Sequence, residues 1–224
     1  MSKVLAFDIY GTLIDVQGLV PMLEDMVGDK SVSFSALWRE KQLEYSFRRG
    51  LMGAYETFSV CTQAALEYSC QYFETPLTQQ QKQSLLKAYA SLPAFSDVIE
   101  ALSLLKNTGF KLYAFSNGTE VAVDKLLHHA GIRSLFEAII SVDELKTFKP
   151  SPNVYQYFLD KSGADKDATW LISSNPFDLI GGLSFGLKTV WVKRSASALF
   201  DPWGYTPTKT IHSLSELETS LLNA

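Results

Sequence analysis

Short runs of β-branched and aromatic residues recur along this chain, separated by segments with helical apolar spacing, and this alternation constrains the fold more than any other feature. Strands spaced by helices do not close as hairpins; they line up in parallel, with the helices crossing over the sheet. The strand-like runs are 4–7, 111–115, 138–141, 169–173 and 189–192. Between the second and the fifth, residues 120–129 and 153–161 carry the helical pattern, and a shorter helix is expected over 177–185. The order predicts an α/β protein built on a doubly wound parallel sheet.

One stretch breaks the alternation. Residues 16–92 separate the first strand from the others and hold helical patterns without a convincing strand. They read as an inserted helical cap, with 1–15 and 93–224 forming the core. The longest periodic segments in the insert are 35–49 and 54–73, followed by 78–90, which Thr78 opens as a helix cap. Pro93 marks the return to the core. Cys61 and Cys70 fall nine residues apart on one expected helix. They would be about 13 Å apart along its axis, too far to bridge, and so read as buried free thiols.

Composition excludes several classes of function. With 46% hydrophobic residues, 20% charged residues and a net charge of -4, the chain is neither disordered nor basic enough for a phosphate backbone. No apolar run reaches the length of a membrane helix, and Met1-Ser2-Lys3 leads straight into the first strand, so a cytoplasmic location is expected.

In an open parallel sheet the functional groups gather beyond the carboxyl ends of the strands. The first strand ends in Asp8-Ile9-Tyr10-Gly11-Thr12, the second in Ser116-Asn117-Gly118, and the fourth in Ser173-Ser174-Asn175-Pro176-Phe177-Asp178. Lys149-Pro150-Ser151-Pro152 follows the third strand and precedes a helix. Each group alone reads as turn or cap chemistry. All of them in this order along one sheet edge read as a site.

This set resembles the haloacid dehalogenase superfamily and, within it, the L-2-haloacid dehalogenases. The likeness spans essentially the whole chain and includes the cap segment Leu37-Trp38-Arg39-Glu40-Lys41-Gln42-Leu43-Glu44-Tyr45. It implies a Rossmann-like core with a helical cap. It also implies that Asp8 is the nucleophile, that Thr12, Ser173, Asn175 and Asp178 order nucleophile and water, and that Lys149 holds the carboxylates. Arg39, Ser116 and Asn117 would receive the substrate carboxylate and the halide. Tyr10, Leu43, Phe58 and Phe177 would line an apolar pocket, and Tyr155, counted with the substrate-side residues, would be a supporting hydroxyl. Pro176 and Phe177 stand where many of these enzymes have Ala and Trp, so the resemblance carries over the catalytic assignments but not the pocket's shape or the substrate's size.

The residues separate dehalogenation from phosphate chemistry. Phosphatases of the superfamily carry a second Asp two positions after the nucleophile, where it protonates a departing alkoxide; here that position is Tyr10. A phenol titrating near pH 10 is a poor acid for that step, whereas a halide leaves without a proton. Mg²⁺ favours carboxylate ligands, and this chain has Ser173-Ser174-Asn175 where phosphatases supply one. Asp8, Asp178, Lys149 and Arg39 already sum to zero charge. The expected reaction is hydrolysis of small L-2-haloalkanoic acids to D-2-hydroxy acids through an aspartyl ester. It uses no metal or other cofactor. The alternatives are a phosphatase of the same superfamily and a non-catalytic metabolite-binding protein on the same fold.

Arg39, Leu43 and Phe47 repeat at i,i+4, so the guanidinium shares a helix face with apolar side chains, unlike the expected solvated Arg48 and Arg49. His128 and His129 suit a helix C-terminus, and no spacing suggests zinc. The aromatics Tyr45, Phe47, Tyr55, Tyr68, Tyr72 and Phe73 read as cap packing, without the basic stripe that nucleic acid needs. The resemblance suggests a homodimer.

Overall fold

The computed structural model describes residues 3–222; Met1 and Ser2, part of the N-terminal reading, lie outside them. Strand β1 (Val4–Phe7) is followed by four helices, α1 (Val20–Val27), α2 (Ser31–Met52), α3 (Phe58–Tyr72) and α4 (Gln79–Tyr89). After α5 (Val98–Asn107), strands and helices alternate through β2 (Lys111–Ser116), α6 (Glu120–His129), β3 (Ala138–Ser141), α7 (Pro152–Ser162) and β4 (Thr169–Ser173). The chain continues through α8 (Pro176–Phe185), β5 (Lys188–Val192), β6 (Lys209–Ile211) and α9 (Leu217–Leu222). No helix among the described residues is long and apolar enough to cross a membrane.

The strands form one parallel sheet in the order β3-β2-β1-β4-β5-β6. Successive side chains of a strand point to opposite faces. Leu5 and Phe7 therefore join one buried cluster with Leu112, Trp170 and Ile172, while Ala6 joins the other with Phe115, Tyr155, Phe158 and Leu171. With both faces covered, the strands carry unbroken apolar runs, which is why they are visible in the sequence. The order reverses direction between β1 and β4, and there the two carboxyl ends open a crevice.

Four elements were not singled out along the chain, α1, α5, β6 and α9. The three residues of β6 are too few to display a period. Helix α3 also starts at Phe58 rather than near Ala54, because Gly53, with φ +65°, closes α2 in the left-handed region and an extended link follows. Thr78 caps α4 as expected, in a reciprocal pair with Gln81. Cys61 and Cys70 are both buried free thiols on α3.

The segments that leave and re-enter the sheet layer run side by side. Ile14 bridges Ala94 antiparallel, the Asp15 amide donates to Pro93 at 2.9 Å, and the Phe95 amide donates to Leu13 at 3.0 Å. Backbone pairing thus fixes where the helical insert joins the sheet.

Helices α7 and α8 meet at Gly181, whose position admits no side chain. A Cβ there would lie 2.6 Å from Pro150 Cβ and run into the Tyr155 hydroxyl. Gly181→Ala is expected to cost about 1–3 kcal/mol through overpacking, read as a lower denaturation midpoint. An unchanged midpoint would show that these helices can part freely.

Candidate active site

The site begins with a tight turn at the end of β1. The Leu13 and Ile14 amides donate to the Ile9 carbonyl at 2.9 and 3.0 Å, and Gly11 supplies the left-handed residue, φ +81°. Folding back in this way brings the Thr12 hydroxyl onto Asp8 Oδ2 at 3.0 Å. Register puts Phe7 beside Ile172, so the next residues, Asp8 and Ser173, are neighbours, and the Ser173 hydroxyl donates to the same oxygen at 3.0 Å. Asn175, at the start of α8, adds its Nδ2 at 2.6 Å. Three donors thus converge on Oδ2. Among the described residues Oδ1 receives only the Lys149 ammonium, at 3.3 Å.

Lys149, fully buried, reaches the crevice from the loop before α7. Its ammonium also donates to the Phe115 carbonyl at 2.8 Å and to Asp178 Oδ2 at 2.8 Å. All three protons are used, which holds Nζ between the two carboxylates. Asp178 comes from the first turn of α8, and its Oδ1 accepts from the Tyr155 hydroxyl at 3.0 Å.

The same surroundings push the two carboxyls in opposite directions. Burial alone would raise Asp8, but the Lys149 charge, the Asn175 bond, the Arg39 charge and the Thr12 bond outweigh it, leaving Asp8 below the ordinary Asp range. Asp178 is raised to about 6 by burial and by the charge of Asp8, against the pull of Lys149. Asp8 is therefore the standing anion, and Asp178 can exchange a proton near neutrality.

These directions have opposite consequences for stability. Asp8's contribution is present above its unfolded value and is lost as pH falls through its folded one. Between the ordinary 3.8 and about 6, Asp178 keeps a proton that the unfolded chain has shed, so its contribution falls as pH rises through that window. If Asp178 must be ionised to accept the water's proton, log kcat should rise with unit slope at acid pH and level off by pH about 6. A limb centred near 4 would instead assign the control to an unperturbed carboxyl.

Other expected residues surround this centre. The Asn117 side-chain oxygen accepts the Lys149 amide at 2.9 Å, and its Nδ2 has no partner among the described residues. The Ser116 hydroxyl accepts from the Gly118 amide at 3.1 Å and keeps its own proton to donate. Arg39, on α2, donates to the Tyr10 carbonyl at 3.4 Å. The Tyr10 ring lies 5.4 Å from Tyr89 and 6.0 Å from Phe58, and burial raises its phenol above the ordinary range, with Tyr89 adding to the shift.

An open cleft of about 220 Å³, walled by Tyr10, Phe58, Leu86, Tyr89 and the start of α6, adjoins this ring rather than covering Asp8. Leu43 and Phe177 do not line that cleft. Leu43 packs with Phe58 and Phe148, and Phe177 sits edge-on against Phe47 at 5.0 Å. Tyr155 is corrected from the substrate side to a position behind Asp178, where its fully buried hydroxyl can touch only protein.

Several residues were not foreseen. Arg194, after β5, donates to the Thr12 carbonyl through Nη2 at 2.7 Å and Nε at 3.2 Å, and is itself held by Asp97 at 2.7 Å. It steadies the turn that presents Asp8. Gln42, Thr62 and Tyr89 form a buried polar chain beside Arg39. Gln42 could have been suspected from its i,i+3 spacing to Arg39; Arg194 carries no local signal.

The donor set suits an anion better than a divalent cation. Lys149 Nζ already lies between Asp8 and Asp178, and Asp8 Oδ2 is saturated by hydrogen-bond donors. Mg²⁺ would need carboxylate oxygens free to turn toward a common point. The residues therefore do not fit the metal on which phosphatases of such a fold depend.

The chain is similar to known proteins over nearly its whole length. The family model for haloacid dehalogenase-like hydrolases matches residues 2–186. The chain is 37% identical over 212 residues to (S)-2-haloacid dehalogenase of Pseudomonas sp. strain YL, covering 95% of this chain and 91% of that protein. It is 36% identical over 213 residues to haloacetate dehalogenase H-2 of Moraxella sp. strain B, covering 94% and 95%. Among solved structures, L-2-haloacid dehalogenase from Xanthobacter autotrophicus with chloropropionic acid covalently bound superposes with a TM-score of 0.90 at 28% identity, over 99% of both chains.

Proposed function

The chain belongs to the haloacid dehalogenase-like hydrolases, and from that premise we propose that it hydrolyses small L-2-haloalkanoic acids to D-2-hydroxy acids through an ester of Asp8. The observation that carries the reading is the asymmetry of the Asp8 carboxylate. Oδ2 is held by Thr12, Ser173 and Asn175, whereas Oδ1 meets, among the described residues, only Lys149 at 3.3 Å and is the oxygen free to attack.

In the first step Oδ1 forms a bond to the α-carbon as the carbon–halogen bond breaks, and the halide leaves toward Arg39 with its electron pair. Ser116 and Asn117 hold the substrate carboxylate, and Tyr10, Leu43, Phe58 and Phe177 enclose its alkyl group. In the second step water adds to the Asp8 carboxyl carbon. Negative charge then develops on Oδ2, where three donors are already aimed, so no reorganisation is needed as the barrier is crossed. Asp178 takes the water's proton, with Ser173 and Asn175 ordering that water. Collapse breaks the bond between the carboxyl carbon and Oδ1, and Asp178 passes its proton to the departing alkoxide. The hydroxy acid leaves carrying the original Oδ1, while Asp8 returns to a carboxylate by releasing the remaining proton to solvent. Residues 1–15 and 93–224 act as the catalytic core, and residues 16–92 act as the cap that brings Arg39 over it. A cytoplasmic homodimer accompanies this reading, the dimer on the family likeness alone.

The test pairs two assays in the presence of a chelator: chloride release from L-2-chloropropionate and phosphate release from an aryl phosphate. Chloride alone is expected. Because the centre is inverted once and the ester is cleaved at its acyl carbon, chiral analysis should find D-lactate, with the D-substrate unreacted. Phosphate alone, or racemic lactate, would overturn the reading.

A further inference from the structure

Arg39 differs from several other arginines of the chain in what holds it. Arg48 leans on Glu44, Arg133 on Asp124 and Arg194 on Asp97, so each of these guanidiniums is paired with a carboxylate. Among the described residues Arg39 takes part in no ion pair. Three neutral oxygens hold it: Gln42 Oε1 at 2.7 Å and the Tyr89 hydroxyl at 3.4 Å, both from Nη1, and the Tyr10 carbonyl at 3.4 Å from Nη2.

Gln42 is itself fully buried and its amide is held from both ends. Oε1 also accepts from the Tyr89 hydroxyl at 3.0 Å, while Nε2 donates to Thr62 Oγ1 at 2.6 Å. The Thr62 hydroxyl passes its proton on to the Phe58 carbonyl at 2.9 Å. These bonds leave the amide one orientation, with its oxygen toward the guanidinium. A single side chain thereby ties α2, α3 and the end of α4 to Arg39.

A carboxylate at this position would hold the guanidinium at least as firmly, but it would also cancel its charge. A neutral acceptor fixes direction and leaves the unit charge standing. We infer that Gln42, backed by Thr62 and Tyr89, is a positioning residue that aims Arg39 while keeping its guanidinium out of contact with any carboxylate and so open to a monovalent anion. In the reaction proposed above, on which this identification of the anion rests, that anion is the departing halide.

The test uses the full chain in four forms: wild type, Gln42→Glu, Gln42→Met and Tyr89→Phe. Bromide is titrated into each free protein while the Arg39 side-chain Nε–Hε signal is followed by NMR, and KM, kcat and the thermal midpoint are measured separately. In wild type the signal should move with bromide. Gln42→Glu keeps the shape but supplies a counter-charge, so bromide affinity should fall about tenfold or more and KM should rise, with the midpoint little changed. Gln42→Met keeps the charge but frees the guanidinium, so kcat should fall about tenfold with a smaller loss of bromide affinity. Tyr89→Phe, which removes one hydroxyl, should give a severalfold loss.

A merely structural Gln42 would lower the midpoint in both Gln42 variants and leave bromide affinity equal to that of wild type; that result overturns the inference. So does a wild-type Arg39 signal that ignores bromide. The two readings fail separately: if wild type responds to bromide yet releases no chloride from L-2-chloropropionate, the reaction falls and the clamp stands. If turnover is normal but Gln42→Glu binds bromide like wild type, the clamp falls alone.

Discussion

Asp8→Asn is expected to lower turnover of L-2-chloropropionate by at least about 10⁴-fold, because a neutral amide oxygen is a poor nucleophile toward carbon and no other group can take over the displacement. The variant should still fold. Lys149 keeps its 2.8 Å contacts to Asp178 and to the Phe115 carbonyl, so the buried ammonium retains a counter-charge. The donors on Oδ2 suit an amide oxygen as well as a carboxylate. The companion measurement on wild type is a single turnover in oxygen-18 water with enzyme in excess. Label should enter the Asp8 carboxylate and be missing from the first product, because the product oxygen comes from Oδ1 and the water oxygen replaces it. Label in the first-turnover product would mean that water attacks the substrate directly, and Asp8 would lose the role of nucleophile.

Lys149→Met should be nearly as damaging to activity and far more damaging to the fold. It removes the cation shared by Asp8 and Asp178, at 3.3 and 2.8 Å, and leaves two carboxyls in a buried crevice without compensation. Breaking a buried ion pair from one side costs about 3–5 kcal/mol. One carboxyl should escape this cost by keeping its proton, and its pKa rises accordingly. The stability deficit against wild type is therefore largest at alkaline pH and shrinks as acid protonates the pair. Denaturant titrations at pH 5 and pH 8 should find the smaller deficit at pH 5. Activity should fall at least about 10³-fold, because Asp8 is then partly protonated and no longer oriented. An equal deficit at both pH values would mean that the lysine contributes packing rather than charge.

The runs that form β1 to β5, the helical stretch after β1, and Asp8, Lys149 and Asp178 as polar residues gathered at one sheet edge were all legible along the chain. A parallel sheet buried on both faces needs continuous apolar strands, and strands that end at one edge leave their polar residues side by side. Local patterns could not reveal the short β6 or the late start of α3, since three residues show no period and the Gly53 turn falls inside an otherwise helical stretch.

What the chain determines by itself is the set of groups and the edge on which they gather, because periodicity and turn chemistry act between near neighbours. Only the tertiary structure decided how those groups share their bonds. Asp8 Oδ2 gathers partners from positions 12, 173 and 175, Lys149 spans 141 residues to reach Oδ1, and Tyr155 turns behind Asp178 instead of toward the pocket. Arg194 grips the Thr12 carbonyl from 182 residues away, and Gln42 aims Arg39 through side chains on two further helices. Which oxygen stays free and which cation keeps its charge depends on contacts that packing makes between distant segments, and no local period records them.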